Sequence, residues 1–172
     1  MGQGTKPTRS TRQERHRMGE MVGTVVEIKD LLYTWPGTVK PILDIPEFSL
    51  TQGERVFIEG ESGSGKTTLL SLIGGIFNPT SGQLKVLDTD LSSLSNSQRD
   101  RFRADHIGFI FQIFNLIPYL SVTENVMLAC QFSSQRRQKA LEKSNDLQKE
   151  AQSLLGQLRI PEAAFSKPVV EL

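Results

Sequence analysis

A single cysteine, Cys130, occurs in the 172 residues, which excludes an internal disulfide framework and any metal site built from several thiolates. On an expected helix it reads as a small apolar residue rather than a nucleophile. Charge of neither sign dominates: 20 Lys and Arg face 19 Asp and Glu, a formal charge of +1. That balance gives no electrostatic reason to expect nucleic acid or an anionic membrane as partner. Long apolar runs are missing too. A membrane-spanning helix needs roughly 18 or more apolar residues, and the richest stretch, 108–118, is broken by Gln112 and Asn115. The remaining composition, 37% hydrophobic and 23% charged, is that of an ordinary soluble domain with a core of its own.

Charge is uneven only at the start, where Lys6, Arg9, Arg12, Arg15 and Arg17 face Glu14 and Glu20. Without apolar periodicity, residues 1–21 are expected to form a basic, disordered tail. They contain no apolar h-region and so no secretory signal. Lys6 stands where a myristoylation motif beginning Met1-Gly2 wants Ser or Thr, and Met18 and Met21 are alternative starts.

The stretch with the most chemistry is Gly60-Glu61-Ser62-Gly63-Ser64-Gly65-Lys66-Thr67-Thr68. It fits G-x-x-x-x-G-K-[ST] at every fixed position, between a β-rich segment (55–59) and an apolar, helix-like one (69–76). Glycines without Cβ let the backbone curl around an anion. The N–H groups of the curl and of the helix start then point at phosphates, aided by the helix dipole. Lys66 would set an ammonium on the β- and γ-phosphates, and the Thr67 hydroxyl would reach Mg²⁺. The residue types define a nucleoside triphosphate site.

Around it, residues 24–29 read as a strand, followed by Tyr33, Trp35 and a turn, and 42–50 as a second extended segment. Tyr33 or Trp35 could stack on a base or simply pack in a β-rich subdomain. After the turn cluster Asn78-Pro79-Thr80-Ser81-Gly82, residues 84–87 make a short strand. Ser95 to Gln98 fits a capping box opening a polar helix through Arg103. Residues 107–111 are a nearly continuous apolar run, predicted to be a buried central strand ending at Gln112. Ser121-Val122-Thr123-Glu124 is another capping box, with a helix to about Gln131. Residues 135–158 read as one long amphipathic helix whose stripe is Leu147, Ala151, Leu154, Leu155 and Leu158.

A phosphate loop alone does not select a function. A GTPase would need N-K-x-D, which is absent, and Asp105-His106-Ile107-Gly108 matches D-x-x-G only by spacing, ahead of the apolar strand. Arg136-Arg137 is a faint version of the arginine-rich lid of a small-molecule kinase. Gly60 to Thr68 with Leu69-Leu70, Pro79 to Gly82, Ile107 to Gln112, and Phe114-Asn115-Leu116-Ile117-Pro118 leading to Leu120 through Val126 carry a specific resemblance. Over roughly 22–172 the chain resembles the nucleotide-binding domain of an ABC transporter. In particular it is similar to the exporter branch with lipoprotein-releasing, macrolide-exporting and heterocyst glycolipid-exporting ATPases.

That resemblance implies an α/β P-loop NTPase fold with an antiparallel β-subdomain, an incomplete RecA-like core and part of an α-helical subdomain. Its parts would be the tail (1–21), the ATP-binding core (22–112) and the helical subdomain (113–172). It implies ATP and Mg²⁺ as cofactors. Tyr33 would be the adenine-stacking ring, Gly60, Glu61, Ser62, Gly63, Ser64, Gly65, Lys66, Thr67 and Thr68 the Walker A loop, and Gln112 the Q-loop glutamine that with Thr67 meets the metal. The segment 114–125 would receive the coupling helix of a membrane permease. A second nucleotide-binding domain would close on two ATP molecules, and the protein would sit on the cytoplasmic face of the cell membrane.

The sequence departs from the family pattern in ways that bear on catalysis. The signature L-S-G-G-Q, a Walker B strand with its Asp, the following Glu and a switch histidine are not found. Leu84 to Asp88 imitates a Walker B, but Lys85 interrupts it and it follows the phosphate loop too soon. The chain is therefore expected to be a piece of a transport ATPase that binds nucleotide without turning it over. The alternatives are an inactive nucleotide-binding half-domain and an ABC-type ATPase that does not transport. The transported substrate is not legible here.

Overall fold

The computed structural model describes residues 23–111 and 115–171; the basic tail, Gln112 and Phe114 lie outside them. The chain divides into two compact units, one ending at Ser95 and the other beginning at Asn96.

The first unit is built on an antiparallel sheet ordered β2-β1-β3-β4, with β1 Thr24–Tyr33, β2 Leu43–Thr51, β3 Ser81–Val86 and β4 Thr89–Asp90. Strand β1 runs four residues beyond the expected stop at Lys29, and a bulge explains why. Its buried residues switch from even positions (Val26, Ile28) to odd ones (Leu31, Tyr33). The register against β3 shifts between Lys29 and Leu32, and Asp30 takes a positive φ of 47°. One extra residue flips the pleat, so both halves of the strand keep their apolar face inward. To the alternation rule that flip looks like an end. Ile28 pairs with Leu84 and Val26 with Val86 across β1 and β3, and Leu31 with Ile45 and Tyr33 with Leu43 across β1 and β2. With Leu72 and Leu91, all of these side chains but the half-buried Ile45 form the core of the unit.

Helix α1, Lys66–Ile73, follows the phosphate loop. It ends in a Schellman motif: Ile76 N–H donates to the Ser71 carbonyl (2.8 Å) and Gly75 N–H to that of Leu72 (2.9 Å). Gly75 supplies the left-handed residue this closure requires, with φ 70°. Leu87 and Asp88 form the tight turn from β3 to β4, both at positive φ (50° and 61°), so the apparent Walker B is a hairpin corner.

The second unit is helical: α2 Asn96–His106, α3 Val122–Met127, α4 Ala129–Phe132, α5 Ser134–Ser144 and α6 Leu147–Gln157. Helix α3 carries the expected capping box, with Ser121 and Glu124 each bonding the other's backbone N–H. The single helix expected over 135–158 is two. Asn145 ends α5 in the left-handed region (φ 51°), and the Asp146 side chain accepts from Gln148 N–H and Lys149 N–H to start α6. Asn and Asp favour caps over helix interiors, and that local chemistry outweighs the continuous apolar stripe. Of the stripe, Ala151 and Leu155 are buried while Leu158 is exposed.

Neither the β-rich segment at 55–59 nor the predicted central strand at 107–111 joins a ladder among the described residues. Residues 54–60 run without regular structure and leave Phe57 87% exposed. Residues 107–111 do the same, with Ile110 fully exposed and Phe111 half exposed. β-propensity becomes a strand only where a neighbour supplies the ladder and the packing. No described segment does so here.

Candidate functional site

The phosphate loop is shaped by two close approaches. At Gly65, which caps α1 at φ 91°, a Cβ would fall 2.7 Å from Leu43 Cδ2 and 3.2 Å from the Ile42 carbonyl oxygen. Only glycine seats the loop that tightly on the start of β2. At Gly60 a Cβ would lie 2.7 Å from Ser64 Oγ, so the loop closes on itself there. No side chain caps α1, so its first-turn N–H groups, which have no partner within a helix, are free of side-chain competition.

Lys66 reaches back over the loop. Its Nζ donates to the carbonyls of Gly60 (2.7 Å) and Glu61 (2.6 Å) and to Ser64 Oγ (3.3 Å). The ammonium is thus held over the concavity where an anion would be bound. Thr67 is exposed at the start of α1 and Thr68 is buried. The Lys66 ammonium and the exposed Thr67 hydroxyl are chemically suited to a phosphate and its magnesium ion. The described residues hold no cluster of three or more His, Cys, Asp or Glu.

Beside the loop lies an aromatic cluster. Tyr33 is 6% exposed and Trp35 39% exposed, their rings edge to face at 5.2 Å. Ile42 N–H donates to the Tyr33 carbonyl (2.8 Å), so Tyr33 is one hydrogen bond from the residue against which Gly65 packs. The sequence-predicted Tyr33 and Gly60–Thr68 thus share one region of the first unit. Two residues that sequence reasoning passed over also belong there: Leu43, which seats Gly65, and Phe77, which stacks on Tyr33. Neither carries a motif signal.

In the second unit the segment 115–125 is organised by Asn125. Its Oδ1 accepts from Ile117 N–H (2.8 Å), and its Nδ2 donates to the carbonyls of Ile117, Leu120 and Ser121 (3.0–3.2 Å). Residues 165–170 brace the same loop: Val170 N–H and Val169 N–H donate to the Pro118 and Leu120 carbonyls, and Val122 N–H to that of Lys167. Held this way, the loop presents Leu116 and Tyr119 (75% exposed) outward. Asp105, the GTPase-like aspartate, instead accepts a hydrogen bond from the fully buried Ser133. Arg136 bonds the Ala104 and Ile107 carbonyls, capping the end of α2 rather than forming a lid.

The bonds from Ser121 N–H and Oγ hold the Glu124 carboxyl below the ordinary glutamate range. A depressed acid stabilises the fold above its unfolded pKa, and that contribution is lost as pH falls through the folded one. Acidification below the usual glutamate range should therefore loosen the start of α3 while the rest of the helix holds. Amide exchange at Ser121 and Glu124 across that range would show it; protection there independent of pH would contradict it.

Taken together, the glycine-shaped loop, the ammonium above it and the open helix start define a P-loop phosphate-binding fold. The ABC transporter family model matches residues 43–169, and the chain belongs to that family. It is 37% identical over 123 residues to a lipoprotein-releasing system ATP-binding protein LolD of Cytophaga hutchinsonii, covering 72% of this chain and 55% of that protein. It is 42% identical over 97 residues to the macrolide export ATP-binding/permease protein MacB of Rhodopirellula baltica, covering 56% of this chain and 14% of that one. Among solved structures it is similar to the ATP-binding cassette MJ0796, determined as a dimer in a post-hydrolysis state with ADP and Pi. The TM-score is 0.71 at 31% identity, over 86% of this chain and 62% of that one. The fold is that of an ABC ATPase cassette, α/β with a P-loop. The chain spans about half the length of the curated relatives it matches.

Proposed function

We propose that these residues bind MgATP as part of the ATP-binding subunit of an ABC transporter, and that the whole protein couples ATP to export or release of a substrate through a membrane permease. The observation that carries this reading is the loop 60–68 closed under the Lys66 ammonium. Around it, Gly60 to Thr68 would surround the phosphates, Lys66 would meet their charge, the Thr67 hydroxyl would contact Mg²⁺, and the aromatic cluster at Tyr33 and Trp35 would meet the adenine. The braced loop at 115–125 suits a permease's docking helix, since a rigid apolar tip costs little ordering on binding. No helix among the described residues is long and apolar enough to cross a membrane, and we assign the subunit to the inner membrane face through its permease. A second cassette as partner is supported by the neighbour, which is described as dimeric.

The uncovered runs around Phe57 and Ile110 favour a stretch that is one part of a larger cassette, so binding without turnover is expected of these 172 residues. Trp35 is the only tryptophan, and its emission reports directly on the aromatic cluster. MgATP should change that emission in a saturable way, with no phosphate released. No change together with no calorimetric binding would overturn the nucleotide reading; phosphate release lost in Lys66→Ala would overturn the expectation of no turnover.

A further inference from the structure

Phe77 takes no part in the phosphate motif, yet it connects two regions of the site. Its N–H and that of Ile76 both point to the Ser71 carbonyl (3.4 and 2.8 Å), which fixes it to the last turn of α1. Its ring stacks on Tyr33 (centroids 5.8 Å, 25° between planes) and meets Trp35 nearly edge on (5.2 Å, 77°). Helix α1 therefore touches one rung of the sheet at both ends. Gly65 at its start packs on Leu43, Phe77 beyond its end packs on Tyr33, and Leu43 and Tyr33 are cross-strand partners. Thr80 completes the frame. Its Oγ1 accepts from Thr34 N–H (2.9 Å) and its N–H donates to the Leu32 carbonyl (2.8 Å), so it brackets residue 33 on both sides.

We infer that Phe77, with Thr80 behind it, is a positioning residue for the nucleotide base: it sets the angle of the Trp35 ring from the end of the helix whose start holds the phosphates. The inference rests on the nucleotide reading above. Tyr33 is buried, and one of its faces is taken by Phe77. Trp35 is the most exposed ring of the three, and its plane is set by edge contacts to the other two. Edge-to-face contacts are directional because the ring quadrupoles must match. An aliphatic replacement for Phe77 would fill space without fixing that angle. Placement of the base and of the phosphates would thereby share one rigid element.

The test compares two ligands, MgATP and magnesium tripolyphosphate, which lacks the base. Phe77→Leu should weaken MgATP by about 5- to 10-fold, the lower end of what one lost base–aromatic stack costs. Tripolyphosphate affinity should stay within about 2-fold, and the emission of Trp35 in the free protein should shift as its surroundings loosen. Phe77→Tyr, which keeps the ring, should leave both affinities and the emission at their wild-type values. Should Phe77→Leu fail to fold, Thr80→Val, which removes only the hydroxyl acceptor, carries the same expected split. Equal weakening of both ligands would overturn the inference and assign Phe77 to the phosphate helix. No weakening of either, or wild-type protein that binds tripolyphosphate as tightly as ATP, would overturn it while leaving the phosphate site intact. Wild-type protein that binds neither ligand would sink the nucleotide reading itself, and this inference with it.

Discussion

Lys66→Ala should lower MgATP affinity by about 100-fold or more and leave the melting temperature nearly unchanged. Hydrogen bonds from an ammonium to ionised partners are worth about 1.5–3 kcal/mol each. Contact with two phosphates thus amounts to about 3–6 kcal/mol, at about 1.4 kcal/mol per factor of ten. Without nucleotide, Lys66 bonds only carbonyls and a hydroxyl at the exposed loop surface, where water replaces the lost donor at little cost. Titration calorimetry run beside thermal melts separates the two effects. An unchanged affinity would remove the phosphate loop from the mechanism. A large loss of melting temperature would make Lys66 a brace of the fold.

The second large effect is expected at Asn125. Asn125→Ala removes the acceptor of Ile117 N–H and the donor to three carbonyls at once. An orphaned, part-buried amide and the lost bonds together should cost about 2–3 kcal/mol, readable as an earlier urea midpoint with an unchanged slope. Asn125→Asp should do no better at neutral pH, because a carboxylate would face the carbonyls of Ile117, Leu120 and Ser121. If either variant kept the wild-type midpoint, the loop 115–121 would be held by residues 165–170 alone. A permease that docks on the presented tip should also lose affinity for Asn125→Ala by more than the loss of fold explains, since the loop would have to be ordered on binding.

The uncovered segments should affect how the chain behaves in solution. Phe57 lies open in one unit, Ile110 and Phe111 in the other. Both segments are rich in β-branched or aromatic residues, and apolar stretches of this kind left without a ladder are association-prone. The family match over 43–169 and the 62% span of the MJ0796 cassette give a context in which such segments would find neighbours.

Several features were legible from residue order alone, and they are the local ones. The curl at 60–68 depends on glycine stereochemistry and the first turn of α1. The capping box at Ser121 depends on two side chains three positions apart. The end of α5 at Asn145 and the start of α6 at Asp146 were legible in principle as well, but the apolar stripe of Leu147, Ala151 and Leu155 masked them. So was the bulge at Asp30, where a switch in burial parity looks like the end of a strand. Tertiary structure alone decided whether 55–59 and 107–111 become strands, because a ladder needs partners that no local pattern specifies. It also decided that Leu43 seats the phosphate loop, that Phe77 packs on Tyr33 and Trp35, and that Thr80 bonds Thr34 across 46 positions and Ser133 bonds Asp105 across 28. Backbone geometry and capping follow from neighbouring residues and can be read in order; packing and long-range hydrogen bonds join residues whose separation carries no signal until the chain has folded.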